Sequence, residues 1–311
     1  MSMAQAARGQ RSDAGQAKTV VEVHRQGSAH MVGDGFPVRN LIPGDGVGEQ
    51  LSPFLLLDYA GPAYFPPTDT PRGVGEHPHR GFETVTIVYE GVVAHRDSTG
   101  SGGVIGPGDV QWMTAASGIV HEEMHERAWA KKGGTLHAIQ LWVNLPKAFK
   151  MSRPGYQTLL SDKIPSVDLG DGAGRLRVIA GEFRGTSEAM PRGIRGPAKT
   201  FTPIHVYDLR MKAGGQADVT VPAGFNTAVF VLQGEATING SGPVKEAQLA
   251  RLGKTGERIV IEAASDVTLL VLSGEAIHEP VARYGPFVMN TQAELIQAVD
   301  DYRMGKMGHL G

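Results

Sequence analysis

The residues best suited to chemistry in this chain are histidines concentrated in its first half. Six of the 11 histidines lie between residues 77 and 137. Two of them, His77 and His79, fall in the run GEHPHRGFE at residues 75–83. Side chains alternate between the faces of a β-strand, so both imidazoles lie on one face, at a spacing that lets them bind the same metal ion. Pro78 cannot donate to a sheet, which predicts an edge strand or a barrel rim here.

A second pair of candidate ligands follows in the run GIVHEEM at residues 118–124. By the same alternation His121 and Glu123 share a face, and Glu122 points away. Three neutral imidazoles and one carboxylate favour Fe(II), Mn(II), Cu(II), Ni(II) or Zn(II) over calcium or magnesium. Four protein ligands on an octahedral ion would leave two positions for a substrate oxygen, O₂ or water, as an oxygen-activating centre requires.

Two alternatives stand beside this interpretation. Glu83 shares the parity of the first histidine pair and could replace Glu123 as the carboxylate ligand, unless Gly81 introduces a bulge. A single His-x-His pair is weak support, because buried histidines with satisfied hydrogen bonds are common; the second pair makes a metal site the better explanation. His95, His137 and His205 are isolated on strand-like runs and are predicted to be structural or surface residues.

The elements that must position these side chains are short β-strands. Strand-like runs such as residues 19–23, 54–58, 83–89, 136–143, 229–232 and 268–272 recur at short intervals. The chain has 42 glycines and 19 prolines scattered along it, which is typical of tight turns between short elements. Helical periodicity is nearly absent until the end, so the pattern favours an all-β fold of sandwich, jelly-roll or small-barrel type.

An internal repeat divides the chain. Gly81-Phe82, a β run and Gly91 can be laid over Gly224-Phe225, a β run and Gly234, with the same spacing from Phe to the last Gly. Two related barrels are therefore expected. The predicted domains are a flexible leader at 1–19, a metal-binding barrel at 20–145, an irregular connection at 146–199, a second barrel at 200–285 and a C-terminal segment at 286–311.

The C-terminal segment carries the one helical signal. Thr291 and Glu294 form a capping box, in which each side chain satisfies an exposed backbone donor near the other. The residues expected on one apolar face are Leu295, Ile296, Val299 and Tyr302, and Gly305 supplies a stop. A short amphipathic helix docked onto a barrel is the predicted structure.

Composition excludes several classes of function. The formal net charge is −2, which gives none of the basic surface that direct nucleic-acid binding needs. Cysteine is absent, which removes disulfides, thiolate ligands and Cys nucleophiles. No run approaches 18 apolar residues, and residues 1–19 lack the apolar core of a secretory signal. We expect a cytoplasmic monomer that contacts neither membrane nor nucleic acid directly.

Five motifs in order resemble the signatures of the pirin family, over roughly residues 20–305. They are HPHRGFETVT at 77–86, PGDVQWMTA at 107–115, GIVHEEM at 118–124, LWVNLP at 141–146 and YGPFVMNT at 284–291. The resemblance implies a bicupin, two tandem cupin barrels of the double-stranded β-helix type, with a short C-terminal helix. It also implies one divalent metal in the N-terminal barrel, with Fe(II) expected and Mn, Cu, Ni, Co or Zn as alternatives.

The same resemblance carries the ligand roles onto His77, His79, His121 and Glu123, and so favours Glu123 over Glu83. Laying one repeat over the other checks the second barrel. Its residues at the positions of His77, His79 and Glu83 are Thr220, Pro222 and Asn226. No histidine occurs between residues 206 and 277, so the second barrel is expected to be metal-free.

Two functions from different classes follow from the resemblance. The first is an Fe(II)-dependent dioxygenase of the quercetin 2,3-dioxygenase type, which cleaves flavonols with O₂ and uses Glu123 as the base that accepts the substrate proton. Gln111 to Met113, Phe54 and Phe82 are candidates for the pocket wall or, equally, for the core. The second is an iron-dependent, redox-sensing binding protein that regulates a transcription factor or a metabolic enzyme through protein–protein contact.

Overall fold

The chain folds into β-strands almost throughout. A computed structural model describes residues 15–25, 27, 29–42, 50–185 and 193–311. Residues 1–14 of the predicted leader lie outside this range. The strands up to residue 144 are β1 (Val20–Arg25), β2 (His30–Val32), β3 (Phe36–Asn40), β4 (Phe54–Phe65), β5 (Gly73–His79), β6 (Phe82–Glu90), β7 (Val93–Asp97), β8 (Gly102–Ile105), β9 (Val110–Thr114), β10 (Ile119–His125) and β11 (Gly134–Asn144).

Shorter elements and a second set of strands complete the chain. The remaining strands are β12 (Gly155–Leu159), β13 (Ser166–Asp168), β14 (Gly174–Ala180), β15 (Glu182–Phe183), β16 (Ile194–Arg195), β17 (Ile204–Met211), β18 (Gln216–Thr220), β19 (Asn226–Gln233), β20 (Glu235–Ile238), β21 (Pro243–Lys245), β22 (Gln248–Leu252), β23 (Arg258–Ala263), β24 (Val267–Gly274), β25 (Ala282–Tyr284) and β26 (Phe287–Met289). The helices are α1 (Arg127–Lys132) and α2 (Gln292–Arg303), with 3₁₀ turns at Lys147–Phe149 and Ser161–Lys163. None of the helices in the described part of the chain is both long and apolar enough to span a bilayer.

Two barrels are built on one plan, each from a seven-stranded and a four-stranded antiparallel sheet. The first barrel has the orders β12-β9-β6-β11-β4-β3-β2 and β5-β10-β7-β8. The second has β1-β22-β19-β24-β17-β14-β13 and β18-β23-β20-β21. The predicted all-β bicupin is therefore confirmed.

The sequence repeat coincides with the central strands β6 and β19. Gly81 and Gly224 precede these strands with φ values of 90° and 83°, and Gly91 and Gly234 follow them with 90° and 84°. A positive φ of this size is readily adopted only by glycine. The repeated glycines therefore mark the turns at which each barrel passes from one of its sheets to the other.

Some strand pairings cross the domain boundaries that were expected from the sequence. The boundaries themselves remain predictions. The first strand, β1, pairs with β22 in the second barrel, and β12 extends the first barrel beyond residue 145. The expected irregular connection at 146–199 contains strands β12 to β16. In this way each barrel covers an edge strand with a segment of chain from outside its own repeat.

Hydrophobic packing differs between the two barrels. The two seven-stranded sheets face each other across a shared buried cluster that includes Leu57, Trp112 and Ile139 from the first barrel and Phe230 and Leu270 from the second. The interior of the second barrel is filled by another large apolar cluster. In the interior of the first barrel, the described residues form smaller apolar clusters around a set of buried polar side chains.

The C-terminal helix α2 returns to the first barrel. Its capping box forms as predicted, with Thr291 and Glu294 each accepting from the other's backbone N–H. The buried face, however, consists of Leu295, Ala298 and Asp301. The predicted face was partly wrong, since Ile296 is 58% exposed and Tyr302 36% exposed. Burial follows the i, i+3, i+6 positions that meet the barrel, where an acidic residue is buried to pair with an arginine.

Candidate metal centre

Two adjacent strands of the four-stranded sheet bring the predicted ligands together. Among the described strands, β5 pairs with β10 alone and lies at the sheet edge, which confirms the expectation from Pro78. His77 lies directly opposite His121 in the register of the two strands. A shift in register follows between His121 and Glu123, where β10 continues in regular pairing with β7. The ligand candidates therefore come from a rigid strand pair rather than from loops.

The three imidazoles converge. Ring centroids are 4.9 Å apart for His77 and His79, 4.2 Å for His77 and His121, and 4.9 Å for His79 and His121. One ring nitrogen from each lies within 4.8 Å of the others. His121 is fully buried and His79 nearly so, whereas His77 is half-buried at the cavity wall. Such a group can hold one metal ion.

Glu123 belongs to a second group, which overlaps the first at His121. Ligand atoms of His95, His121 and Glu123 also lie within 4.8 Å of one another. The Glu123 carboxylate is buried and accepts from Thr86 Oγ1 at 3.2 Å, Gln111 Nε2 at 3.1 Å and Gln140 Nε2 at 2.8 Å. These three neutral donors hold the carboxylate in place without neutralising it.

The donors to Glu123 belong to a transverse row of polar residues on the seven-stranded sheet of the first barrel. Each member lies opposite the next on the neighbouring strand. From β3 to β9, the row is Asn40, Asp58, Gln140, Thr86 and Gln111. The neighbouring rows of this sheet are largely apolar. The polar row therefore concentrates the hydrogen-bonding groups in one band across the barrel wall.

Glu83, the alternative carboxylate, lies elsewhere. It shares the face of β6 that carries Val85 and Ile87 towards the second barrel, and it accepts from Thr114 Oγ1 at 2.6 Å. The turn at Gly81 separates β5 from β6, so the strand parity that links His79 to Glu83 in the sequence does not continue. Burial raises the pKa of the Glu83 carboxyl to about 7, against the hydrogen bond from Thr114.

His95, predicted from the sequence to be a structural or surface residue, instead lies in the candidate site with His121 and Glu123. It is buried, pairs in register with Glu123, and stacks on Tyr156 at 4.8 Å. Its Nε2 lies 3.3 Å from Asp97 Oδ2, and its Nδ1 lies 3.2 Å from His121 Nδ1. If His95 donates from Nε2 to Asp97, its Nδ1 accepts the proton of His121 Nδ1, and the lone pair of His121 is then on Nε2.

The protonation and hydrogen bonding of these imidazoles fit a bound cation. Burial lowers the pKa of His79 to about 3, with the neighbouring His77 adding to the effect. Burial is also the main cause that lowers the pKa of His121 well below its usual range, and the neighbouring imidazoles add to this effect. Neutral imidazole is the form that binds metal. His121 Nε2 is buried with no hydrogen-bond partner among the described residues, as a nitrogen reserved for a metal would be.

A cavity of about 320 Å³ opens beside the imidazoles. Its lining includes His77, His79, Thr86, Asp58, Glu123 and Gln140 among mostly apolar residues: Val32, Phe36, Val38, Ala60, Val74, Ala138, Ile139, Trp142 and Pro286. The volume is at the lower end of the range of small-molecule sites. Of the candidate wall residues, Phe54, Phe82, Trp112 and Met113 lie in the hydrophobic core, and Gln111 contacts Glu123.

The other isolated histidines serve packing. His137 is buried against the rings of Tyr59 and Tyr89, with centroids at 5.5 and 5.1 Å. His205 contacts the hydroxyl of Tyr207 through its Nδ1 at 2.8 Å in the second barrel. For these two residues the geometry agrees with the prediction that they are structural or surface histidines.

The C-terminal segment contacts β5, the strand that carries His77 and His79, from outside the barrel. Pro286 O lies 3.4 Å from His79 Nδ1, and Arg80 forms a buried ion pair with Asp301 at 2.9 Å. The buried Lys150 ammonium donates to the carbonyls of Gly81 and Val288 at 2.7 and 2.9 Å. Residues at the far end of the chain thereby fix the strand that carries the first two imidazoles.

Fold and site together define a bicupin with a candidate three-histidine, one-carboxylate metal centre in its first barrel. The family model for pirin matches residues 35–143, and the model for the pirin C-terminal cupin domain matches residues 206–308. The chain belongs to the pirin family.

Similar proteins and solved structures agree with this family assignment. A Pseudomonas aeruginosa protein with a provisional quercetin 2,3-dioxygenase name is 54% identical, over 93% of this chain and 98% of that protein. The crystal structure of quercetin 2,3-dioxygenase from Acinetobacter baumannii has a TM-score of 0.88 and 44% identity, and covers 95% of this chain and 100% of its own. The bacterial pirin YhhW from Escherichia coli, solved in complex with nickel(II), shares the fold at 20% identity, with a TM-score of 0.58 and coverage of 82% and 100%.

Proposed function

We propose that this protein is a metal-dependent dioxygenase that cleaves flavonols in the manner of quercetin 2,3-dioxygenases. The proposed ligands are His77, His79, His121 and Glu123, and the proposed ion is Fe(II). The observation that carries the proposal is the buried Nε2 of His121, which has no hydrogen-bond partner among the described residues. Its ring lies beside those of His77 and His79, which line a largely apolar cavity. The names of the closely similar proteins supply the substrate class.

Iron bound at this centre would supply Lewis acidity towards a substrate oxygen and one-electron chemistry towards O₂. The chain itself provides a preorganised set of ligands. Strand pairing fixes the opposition of His77 and His121, and the contact with His95 fixes the ring of His121. Ligands held in this way need little rearrangement when the ion enters, which favours affinity and selects the geometry of the centre.

Glu123 is the proposed proton acceptor for the substrate hydroxyl. Its carboxylate reaches the cavity wall and is held by Thr86, Gln111 and Gln140. The three donors hold both carboxylate oxygens in place. The carboxylate can therefore accept a proton from a hydroxyl in the cavity without first changing its side-chain conformation. The apolar walls exclude water, which strengthens this hydrogen bond and protects reactive species from hydrolysis.

The test combines metal analysis of anaerobically purified protein with oxygen uptake on quercetin after Fe(II) loading. We expect about one ion per chain and uptake that disappears in His121→Ala. The exposed His278 provides a matched control, since His278→Ala should change neither quantity. Bound iron without uptake would contradict the oxygenase and favour the metal-dependent binding protein. Full metal content in His121→Ala or His79→Ala would contradict the ligand assignment.

The carboxylate ligand is tested separately. Glu123→Gln should lower metal affinity, because the amide cannot provide an anionic ligand. Glu83→Gln should leave metal content unchanged, since Glu83 lies on the opposite face of β6. The reverse result would transfer the role to Glu83.

A further inference from the structure

The cavity beside the imidazoles contains an acid that the proposed metal centre does not use. Asp58 lines this cavity together with His77, His79 and Glu123. The residues beside it on β4, Leu57 and Tyr59, face the other way, into the apolar cluster between the barrels. Burying part of a carboxylate in a mostly apolar wall costs solvation free energy unless hydrogen-bond donors replace the lost water.

In the described part of the chain, one hydrogen-bond donor reaches Asp58. Asn40 Nδ2 donates to Asp58 Oδ1 at 2.8 Å, from the neighbouring strand β3. Among the residues that the structure describes, no second hydrogen-bond donor reaches this carboxylate. An ionised carboxylate accepts only, and it has room for several donors. The missing donors can come from a molecule in the cavity.

The position of Asp58 in the transverse polar row sets what that molecule must span. Asp58 lies opposite Gln140, which lies opposite Thr86, and Thr86 donates to Glu123. Two strand spacings separate Asp58 from Thr86, about 10 Å across the sheet. A single phenol does not bridge this span, whereas an aromatic of two or more rings does.

We propose that Asp58 determines substrate specificity by accepting hydrogen bonds from phenolic hydroxyls at the end of the substrate remote from the metal centre. This inference rests on the proposed function, because it assumes that the cavity receives the substrate. The site then selects multi-ring aromatics with hydroxyl donors at that end. It rejects analogues with a carboxylate or sulfate there, because two anions would meet in an apolar enclosure.

Binding of two flavonols under nitrogen, where no turnover occurs, tests the proposal. The probes are quercetin and 3-hydroxyflavone, which lacks every hydroxyl except the one next to the ketone. Quenching of tryptophan fluorescence reports binding, since Trp142 lines the cavity. Wild-type protein should bind quercetin about tenfold more tightly, the effect of a hydrogen bond to a charged group.

Asp58→Asn should remove most of this tenfold preference and change the affinity for 3-hydroxyflavone by less than twofold. Asp162→Asn, at an acid whose side chain is 67% exposed, is the matched control and should change neither affinity. An equal loss for both ligands, no loss for either, or a wild-type protein without the preference would each overturn the proposal. The wild-type comparison keeps the proposal falsifiable even if the variant does not fold, because a wild-type protein without the preference overturns it.

The outcomes also separate this inference from the oxygenase. Selective, Asp58-dependent binding without oxygen uptake would leave the inference standing and contradict the oxygenase. Oxygen uptake with the same kcat/KM for both flavonols, in wild type and in Asp58→Asn, would support the oxygenase and overturn the inference about Asp58. No binding of either flavonol by wild-type protein would overturn both.

Discussion

Replacing Glu83 with glutamine should stabilise the protein at alkaline pH far more than at acid pH. Burial raises the pKa of this carboxyl from its ordinary 4.5 to about 7. The folded protein therefore holds the proton more tightly than the unfolded chain between these values. The free energy of unfolding then falls as pH rises through this window, because the unfolded chain releases the proton first. Glutamine is neutral throughout and removes this loss.

The magnitude follows from the same pKa values. With 4.5 for the unfolded chain and about 7 for the folded protein, linkage gives a loss of about 2.5 kcal/mol between pH 5 and pH 8. Urea unfolding of both proteins at these two pH values, with chelator present, measures the difference. The advantage of Glu83→Gln over wild type should grow by about that amount, whatever pH-independent cost the amide has in its contact with Thr114.

Glu262→Gln is the control for this experiment. Glu262 is exposed on β23, where the same substitution meets solvent, so its effect on stability should not depend on pH in this way. A difference between wild type and Glu83→Gln that stays constant from pH 5 to pH 8 would refute the reasoning. It would mean that the buried carboxyl titrates as it does in the unfolded chain.

Three further predictions concern residues that support the candidate ligands. His95→Phe should weaken metal binding about 10- to 100-fold in chelator competition, because His121 loses its orienting partner; unchanged affinity would contradict this. Asp301→Asn should cost about 3 kcal/mol in urea unfolding by leaving the buried Arg80 without its ion pair, and a neutral effect would show that the pair is dispensable. Gly81→Ala should destabilise far more than Gly224→Ala. Both glycines have positive φ, but an added Cβ would clash with Val288 O at Gly81 and would meet nothing within 4 Å at Gly224. Equal losses would contradict that packing argument.

The fold was predictable because its signals are local. Short apolar runs, tight-turn glycines and one capping box define the strands and the helix, and the repeat of Gly81 and Phe82 at Gly224 and Phe225 revealed two barrels. Pairing between distant segments was not predictable in the same way. Nothing local in Val20–Arg25 indicates that it adds to the second barrel, because an edge position depends on which sheet has a free edge nearby.

The site was partly predictable for the same reason. Strand parity alone places His77 beside His79 and His121 beside Glu123, since residues two apart share a face. Parity fails where the chain changes sheets, and so it linked His79 to Glu83 across the turn at Gly81. It also could not find His95, whose neighbours depend on the register between β7 and β10.

The two barrels use the same transverse row of their seven-stranded sheets for opposite purposes. Thr86 and Val229 occupy equivalent positions, four residues after Phe82 and Phe225. The row through Val229 in the second barrel consists of Val178, Tyr207, Val271, Val229 and Ala250. All five belong to its apolar core. In the first barrel the corresponding row is polar and supports Glu123 beside a cavity. In the second barrel this row therefore contributes to the apolar core. In the first barrel the same row forgoes that packing, and its polar side chains instead hold Glu123 beside a cavity large enough for a ligand. Such a loss of packing is expected at a functional site in an otherwise stable fold.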